Sequence, residues 1–311
     1  MSPSPSSKSP SPKAESPEAL SSLASRLEVR VRHLSETIGE RHVLCRTALD
    51  AAVGYLRDEL RELGVPCVVQ AFEVDGHGFS NLEVLAPRAT GPTPEPACIV
   101  VGAHYDTVPG TPGADDNASG VAALLELVAQ LGQQHQLRSL RFVFFPNQEP
   151  LFFPDAGMGS AAYAARLRHD GVDVHLLISL EMLGYYSDRA HSQKYPPGLS
   201  LRYPDRGDFI GLVTNVSSRH RLGEMTRAFR ASSAFPCESL TAPEWTVIVG
   251  SSDYRSFWRK GYPALTFTDT AFMRNPHYHQ ATDTADTLDY VRFATVTAGM
   301  IAAVKRLAST I

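Results

Sequence analysis

The sequence predicts a single α/β domain built on a mostly parallel, mixed sheet with helices on both faces. Residues 97–103 (ACIVVGA), 140–145 (LRFVFF) and 174–180 (VHLLISL) are short apolar runs, the pattern of strands buried between two layers. Segments with helical spacing separate them, and the alternation runs without a break from about residue 23. No internal repeat or second composition regime interrupts it, so one domain over 23–311 is expected.

Residues 1–22 are almost entirely Ser, Pro, Ala, Lys and Glu. Such a stretch buries too little apolar surface to offset the entropy of ordering, so a disordered tail is expected there. In 49–63 the apolar residues Leu49, Ala52, Val53, Leu56, Leu60 and Leu63 recur at three- and four-residue steps, with Gly64 and Pro66 as a stop signal. That is an amphipathic helix. Strands are expected at 67–74 and 82–86, then the buried strand 97–103 and a helix over 119–131. The strand 140–145, a helix over 157–167 and the strand 174–180 follow. Residues 185–206, rich in Tyr, Pro, Ser and Arg, read as a lid or rim loop. A strand at 209–216, a helix at 219–231, a strand at 263–267 and a closing helix at 291–307 complete the pattern.

Composition excludes several function classes. Lys and Arg number 29 against 33 Asp and Glu, a net charge of -4, so there is no broad basic surface for nucleic acid. No apolar run is long enough for a membrane span or placed as a secretory signal, and a soluble, cytoplasmic protein without a membrane partner is expected. Cys45, Cys67, Cys98 and Cys237 are widely spaced without a CxxC pair, which suggests buried thiols more than a disulfide frame. The sequence carries no signal for an oligomeric state.

Chemistry collects directly after the expected strands. His104 and Asp106 follow 97–103, Asp115 and Asp116 follow the next glycine-rich loop, Asn147, Gln148 and Glu149 follow 140–145, and Glu181 follows 174–180. A lone His-x-Asp is usually a surface pair, and an Asp before a helix is usually an N-cap. A parallel sheet, however, brings its strand ends to one rim, where ligands bind and where clustered carboxylates repel unless protons or cations neutralise them. Mixed imidazole and carboxylate donors suit zinc or a similar divalent ion.

The segments HYDTVPGTPGADDNASGVAALLE, FFPNQEP, SLEMLGYYSD, SDYRSFWRKGYPALTFTD and NPHYHQATDTADTLDY follow one another in an order that resembles metallopeptidase family 28, the zinc-dependent aminopeptidase and glutaminyl cyclase group. The resemblance runs from about residue 30 to the C-terminus. It implies a phosphorylase/hydrolase-like sheet with zinc at its carboxyl edge, two ions as in the aminopeptidases or one as in the cyclases. The implied substrate is a peptide or a small amino-acid derivative. The resemblance makes Asp116 the bridge between two metals, with Glu149 and His279 completing one ligand set and His104 and Glu181 the other. Glu181 stands where the family often has aspartate. Asp106 would orient His104 through its second ring nitrogen. Asp253 matches an acidic position near the family's site or is a helix N-cap. Tyr185, Tyr278 and His277 are candidates for the substrate cleft, His277 equally for a structural role.

The family writes the segment after 140–145 with two glutamates, the first a general base and the second a ligand. Here the pair is Gln148–Glu149. A carboxamide accepts no proton near neutral pH, and a positioned acid–base group contributes about 10²–10⁴-fold in rate. Three readings stay open: a hydrolase in which Asp115, Asp253, Glu181 or metal activation alone replaces the base; a metal enzyme of acyl transfer or cyclisation; and an inactive metal-binding pseudopeptidase.

Overall fold

The computed structural model describes residues 16–90, 95–154, 157–246, 249–250 and 252–310. The first element among the described residues is helix α1 (Pro17–Arg32), which begins inside the segment expected to be a disordered tail; residues 1–15 of that segment lie outside the described residues. The correction has a local cause. The Ser16 side chain accepts the Ala19 N–H, Pro17 occupies the first turn without needing a donor, and Glu18 sits at the positive end of the dipole. Leu23, Leu27 and Val31 then form a buried stripe, and Arg30 joins Glu59 and Glu126 across the helix interfaces.

Helix α2 (Arg46–Glu62) buries Leu49, Ala52, Leu56 and Leu60, as the spacing predicts. Strands β1 (Val68–Val74) and β2 (His77–Leu85) form an antiparallel hairpin, so the strand expected at 82–86 starts earlier, at the Asp75–Gly76 turn. The central unit is β3 (Cys98–His104), α3 (Gly120–Leu131), β4 (Leu140–Phe145), α4 (Gly159–His169) and β5 (Val174–Glu181). Next come β6 (Ile210–Thr214), α5 (Arg219–Ser232), β7 (Cys237–Thr241), α6 (Tyr254–Arg259), β8 (Ala264–Thr268) and α7 (Tyr290–Ala308).

Among the described residues these strands form one eight-stranded sheet in the order β1-β2-β4-β3-β5-β8-β6-β7. β4, β3, β5 and β8 are mutually parallel, while β2 runs antiparallel to β4 and β6 antiparallel to β8, so the sheet is mixed around a parallel centre. Alternation along β3 divides the core. Ile99, Val101 and Ala103 pack under α1, α2, α3, α5 and α7, whereas Cys98 and Val100 face α4 and α6 with Tyr163, Phe257 and Trp258. Gly102 belongs on that second face because any Cβ there would meet the Phe145 ring. The four cysteines are free, Cys98 and Cys237 buried and Cys45 and Cys67 half-buried. Among the described residues no helix is long and apolar enough to cross a membrane.

The order of connection positions the site. From β3 the chain moves to β4 on one side, then crosses to β5 on the other, so the carboxyl end of β3 opens at a topological switch point. His104 is the last residue of that strand.

Candidate metal centre

Three strand ends and two loops converge on this crevice. His104 closes β3 and Glu181 closes β5, while Gln148 and Glu149 follow β4 through Asn147, whose backbone is left-handed at φ 64°. Asp115 and Asp116 lie in the tight segment before α3, where the backbone leaves helical geometry at Asp116 and Asn117 and their peptide bond is cis. His279 comes from the irregular segment between β8 and α7, also left-handed, at φ 57°.

Two donor sets result. In the first, His104 Nε2 lies 3.2 Å from Glu181 Oε1 and 3.4 Å from Asp116 Oδ1. In the second, His279 Nε2 lies 3.1 Å from Asp116 Oδ2 and 3.5 Å from Glu149 Oε2. Asp116 belongs to both groups, one oxygen to each. Zinc bonds of about 2.0–2.2 Å at tetrahedral angles would put neighbouring donors about 3.3–3.6 Å apart. The spacing therefore fits zinc, and two buried oxygens, Asp116 Oδ1 and Glu149 Oε1, have no hydrogen-bond partner among the described residues. Buried acceptors left open in this way are what a cation would satisfy.

The electrostatics agree. Burial, then the Asp116 charge, pushes the Glu149 carboxyl well above its ordinary range. Burial opposes ionisation of Asp116 too, yet the His104 and His279 rings hold it below the usual carboxylate range. Burial alone would keep His104 neutral, but the Glu181 charge and the Asp106 and Asp116 carboxylates raise it well above an ordinary imidazole. The cluster thus retains protons where it could hold cations, so metal uptake would release them.

Asp106 links the donor sets. Its Oδ1 and Oδ2 accept the N–H groups of Gln148 and Glu149 at 3.1 and 3.2 Å. His104 Nδ1 faces both the Asp106 backbone oxygen at 3.2 Å and Oδ1 at 3.4 Å. Asp115, by contrast, is turned away: Oδ1 accepts from Gly184 N–H and Oδ2 from the Asn275 amide, and burial beside Asp269 raises its carboxyl well above its usual range. Of the carboxylates considered as substitutes for the base, Asp115 is therefore committed elsewhere. Asp115→Asn is expected to leave the zinc content measured by atomic emission unchanged.

Asp253 precedes α6 but makes no cap hydrogen bond. It is fully buried, among the described residues neither oxygen has a hydrogen bond of regular geometry, and burial pushes it up to about 7, with His104, Glu181 and Ser160 among the groups acting on it. Its neighbour Ser252 donates to Glu181 Oε2 at 2.6 Å. Glu181, Ser252, Met182, Thr268, Met273 and Tyr278 border a cavity of about 60 Å³. Tyr278 also stacks on His279, ring centroids 3.7 Å apart. Tyr185 and His277 meet edge to face at 6.0 Å beside this wall, and His277 Nδ1 pairs with Thr282 Oγ1 at 2.9 Å.

Several residues of the site carry no sequence signal of their own. Asp283 receives the N–H groups of Asp115 and Asp116 at 2.9 and 3.1 Å. Ser252 and the buried Arg41 are others, and an arginine within GERH reads as surface.

Residues 84–304 match Peptidase family M28. The uncharacterized protein YfbL of Escherichia coli K12 is 37% identical over 285 residues, 89% of this chain and 86% of that protein. The probable lipoprotein aminopeptidase LpqL of Mycobacterium tuberculosis is 30% identical over 73% of this chain, which spans 45% of LpqL. The fold is also that of a Bacillus subtilis zinc aminopeptidase, BSAP, with a TM-score of 0.71 at 16% identity over 92% of this chain and 95% of that one. A Bacteroides thetaiotaomicron glutaminyl cyclase gives 0.66 at 17% identity over 91% and 97%.

Proposed function

The chain belongs to peptidase family M28, and on that premise we propose that it is a zinc-dependent exopeptidase-type hydrolase of peptide or amino-acid amide bonds, an aminopeptidase whose turnover Gln148 holds down. The observation that carries this reading is the pair of donor sets sharing Asp116 at the carboxyl edge of the sheet.

His104, Glu181 and Asp116 would hold one ion, and Glu149, His279 and Asp116 the other. When bound, zinc would supply Lewis acidity toward a substrate carbonyl and a more acidic water. The chain's own groups set the rest. Asp106 fixes the backbone of Gln148 and Glu149 and lies against His104, so one carboxylate aligns members of both donor sets. Met182, Met273 and Tyr278 give the cavity beside Glu181 an apolar side against which a substrate side chain could pack. Gln148 can orient a reactant by hydrogen bonding but cannot take its proton. Asp253, pushed up to about 7 by burial, is a buried carboxyl able to exchange a proton near neutral pH, and Asp283 on the far side of the Asp115–Asp116 loop is raised to a similar extent.

Gln148 favours one second reading, a metal-loaded pocket that binds amino-terminal residues, or cyclises amino-terminal glutamine, without hydrolysing peptides. The test is metal analysis followed by a panel of chromogenic aminoacyl amides and glutamine-terminated peptides. About two zinc ions per chain and weak amide hydrolysis, lost on chelation, are expected. Cyclised product without hydrolysis would replace this reading with the cyclase, and absence of bound metal would remove both.

A further inference from the structure

Arg41 is fully buried, yet among the described residues no carboxylate takes its guanidinium. Its donors go to backbone carbonyls: Nε to Tyr105 at 2.7 Å, Nη1 to Pro112 at 2.8 Å, Gly39 at 3.0 Å and Leu34 at 3.2 Å, and Nη2 to Gly113 at 3.0 Å. Its backbone is tied in as well, with Thr107 Oγ1 accepting from Arg41 N–H and Arg41 O accepting from Thr107 N–H, at 3.1 and 3.0 Å.

These acceptors are not scattered. Tyr105 lies between His104 and Asp106, and Pro112–Gly113 leads directly into Asp115 and Asp116. The second loop is gripped from the opposite side by Asp283, whose carboxylate takes the Asp115 and Asp116 N–H groups. A cation holds the loop's carbonyls and an anion holds its amides. Gly113 is left-handed at φ 61°, and a Cβ there would meet Asp116 O and Thr107 Cγ2, so the two loops touch at this point.

A buried arginine without a counter-ion is costly, and replacing it by packed apolar groups is commonly neutral or stabilising. What an apolar group cannot do is join five carbonyls from three chain segments in one plane. Lysine cannot either, with three donors on one atom. We propose that Arg41 is a positioning residue, whose guanidinium sets the spacing of His104 and Asp116 through the neighbouring Tyr105 and Gly113 carbonyls, and that of Glu149 through the adjoining Asp106, so that the donor sets are preorganised for metal.

Burial pushes the Arg41 guanidinium down to about 10, opposed by the charges of Asp106, Asp283, Asp116 and Glu149, so it stays charged at neutral pH. It therefore adds a fixed positive charge behind the donor sets without occupying a ligand position. Positioning partners of this kind are worth about 10–100-fold in metal affinity.

The inference rests on the metal-site reading, and the experiment separates the two. The full chain and Arg41→Lys are titrated with zinc against a chromophoric chelator and with cobalt(II) alone, read by visible absorption, well below the melting temperature of either. Arg166→Met serves as a control: it breaks an ion pair with Glu83 on a different part of the sheet, and should lower stability without altering metal affinity. Arg41→Lys is expected to lose about 10–100-fold in zinc affinity and to change the intensity of the cobalt bands. Should it fail to fold, Thr107→Val, which removes only the hydroxyl acceptor on the Arg41 amide, is expected to weaken zinc binding several-fold in a folded protein. Wild-type affinity and cobalt spectrum in folded Arg41→Lys, or in Thr107→Val where Arg41→Lys does not fold, overturn the positioning role alone. Failure of the unaltered chain to bind zinc or cobalt overturns the metal reading with it.

Discussion

Asp116→Asn is expected to abolish uptake of both proposed ions, not one, because a single carboxylate serves both donor sets with a different oxygen in each. An amide offers one oxygen of weaker donor strength and an NH₂ that would face a histidine nitrogen. The loss should exceed the about 10–100-fold that removal of an outer partner costs. Glu181→Gln and Glu149→Gln, each confined to one set, should by comparison leave about one ion per chain. Thermal melts give a second readout. A ligand at a hundred times its Kd stabilises the folded state by about 2.7 kcal/mol per site, so zinc should raise the melting temperature of the unaltered chain and leave that of Asp116→Asn nearly unmoved. Retention of one ion by Asp116→Asn would show that the two groups are not joined through this residue.

Gln148→Glu is expected to raise amide hydrolysis by about 10²–10⁴-fold, the range a positioned general base contributes. The residue is buried, and the nearby Glu149 carboxyl is already held well above its ordinary range by burial and by Asp116. A new glutamate there would meet the same forces, which move a carboxylate toward the pKa a base needs near neutrality. The same crowding has an opposite effect on the metal-free protein. A further carboxylate adds repulsion that only cations relieve, so Gln148→Glu should melt lower than the unaltered chain without zinc and gain more from zinc. Kinetics on a chromogenic aminoacyl amide and paired melts decide both parts. If Gln148→Glu binds zinc normally and hydrolyses no faster, the hydrolase reading falls and the binding or cyclising pocket takes its place.

The parallel centre and its rim of donors were legible because its strands are short and largely apolar, and an imidazole or carboxylate lies within four residues of the end of each. Helix α1 was not, since Ser16, Pro17 and the serines after them give it the composition of a tail, although its Leu23–Leu27–Val31 stripe is regular. The edge strand β7, CESLT, is half polar and never shows a buried pattern. His279 sits on an irregular segment with no period to read, and only the family resemblance singled it out. Arg41 left no trace because its partners are main-chain oxygens, which a sequence does not display. Asp253 was balanced between cap and site; the absence of a cap bond and its complete burial weigh toward the site.

The way position 148 is held has an evolutionary side. Asp106 grips this residue by its main-chain N–H, which every amino acid except proline supplies. The scaffold therefore places whatever side chain is encoded there at the same spot, and a single nucleotide change between glutamine and glutamate codons exchanges a proton acceptor for a neutral amide without rebuilding the surrounding loops. On the proposed function, one codon change at this position would separate a turning-over hydrolase from a metal-loaded binding pocket.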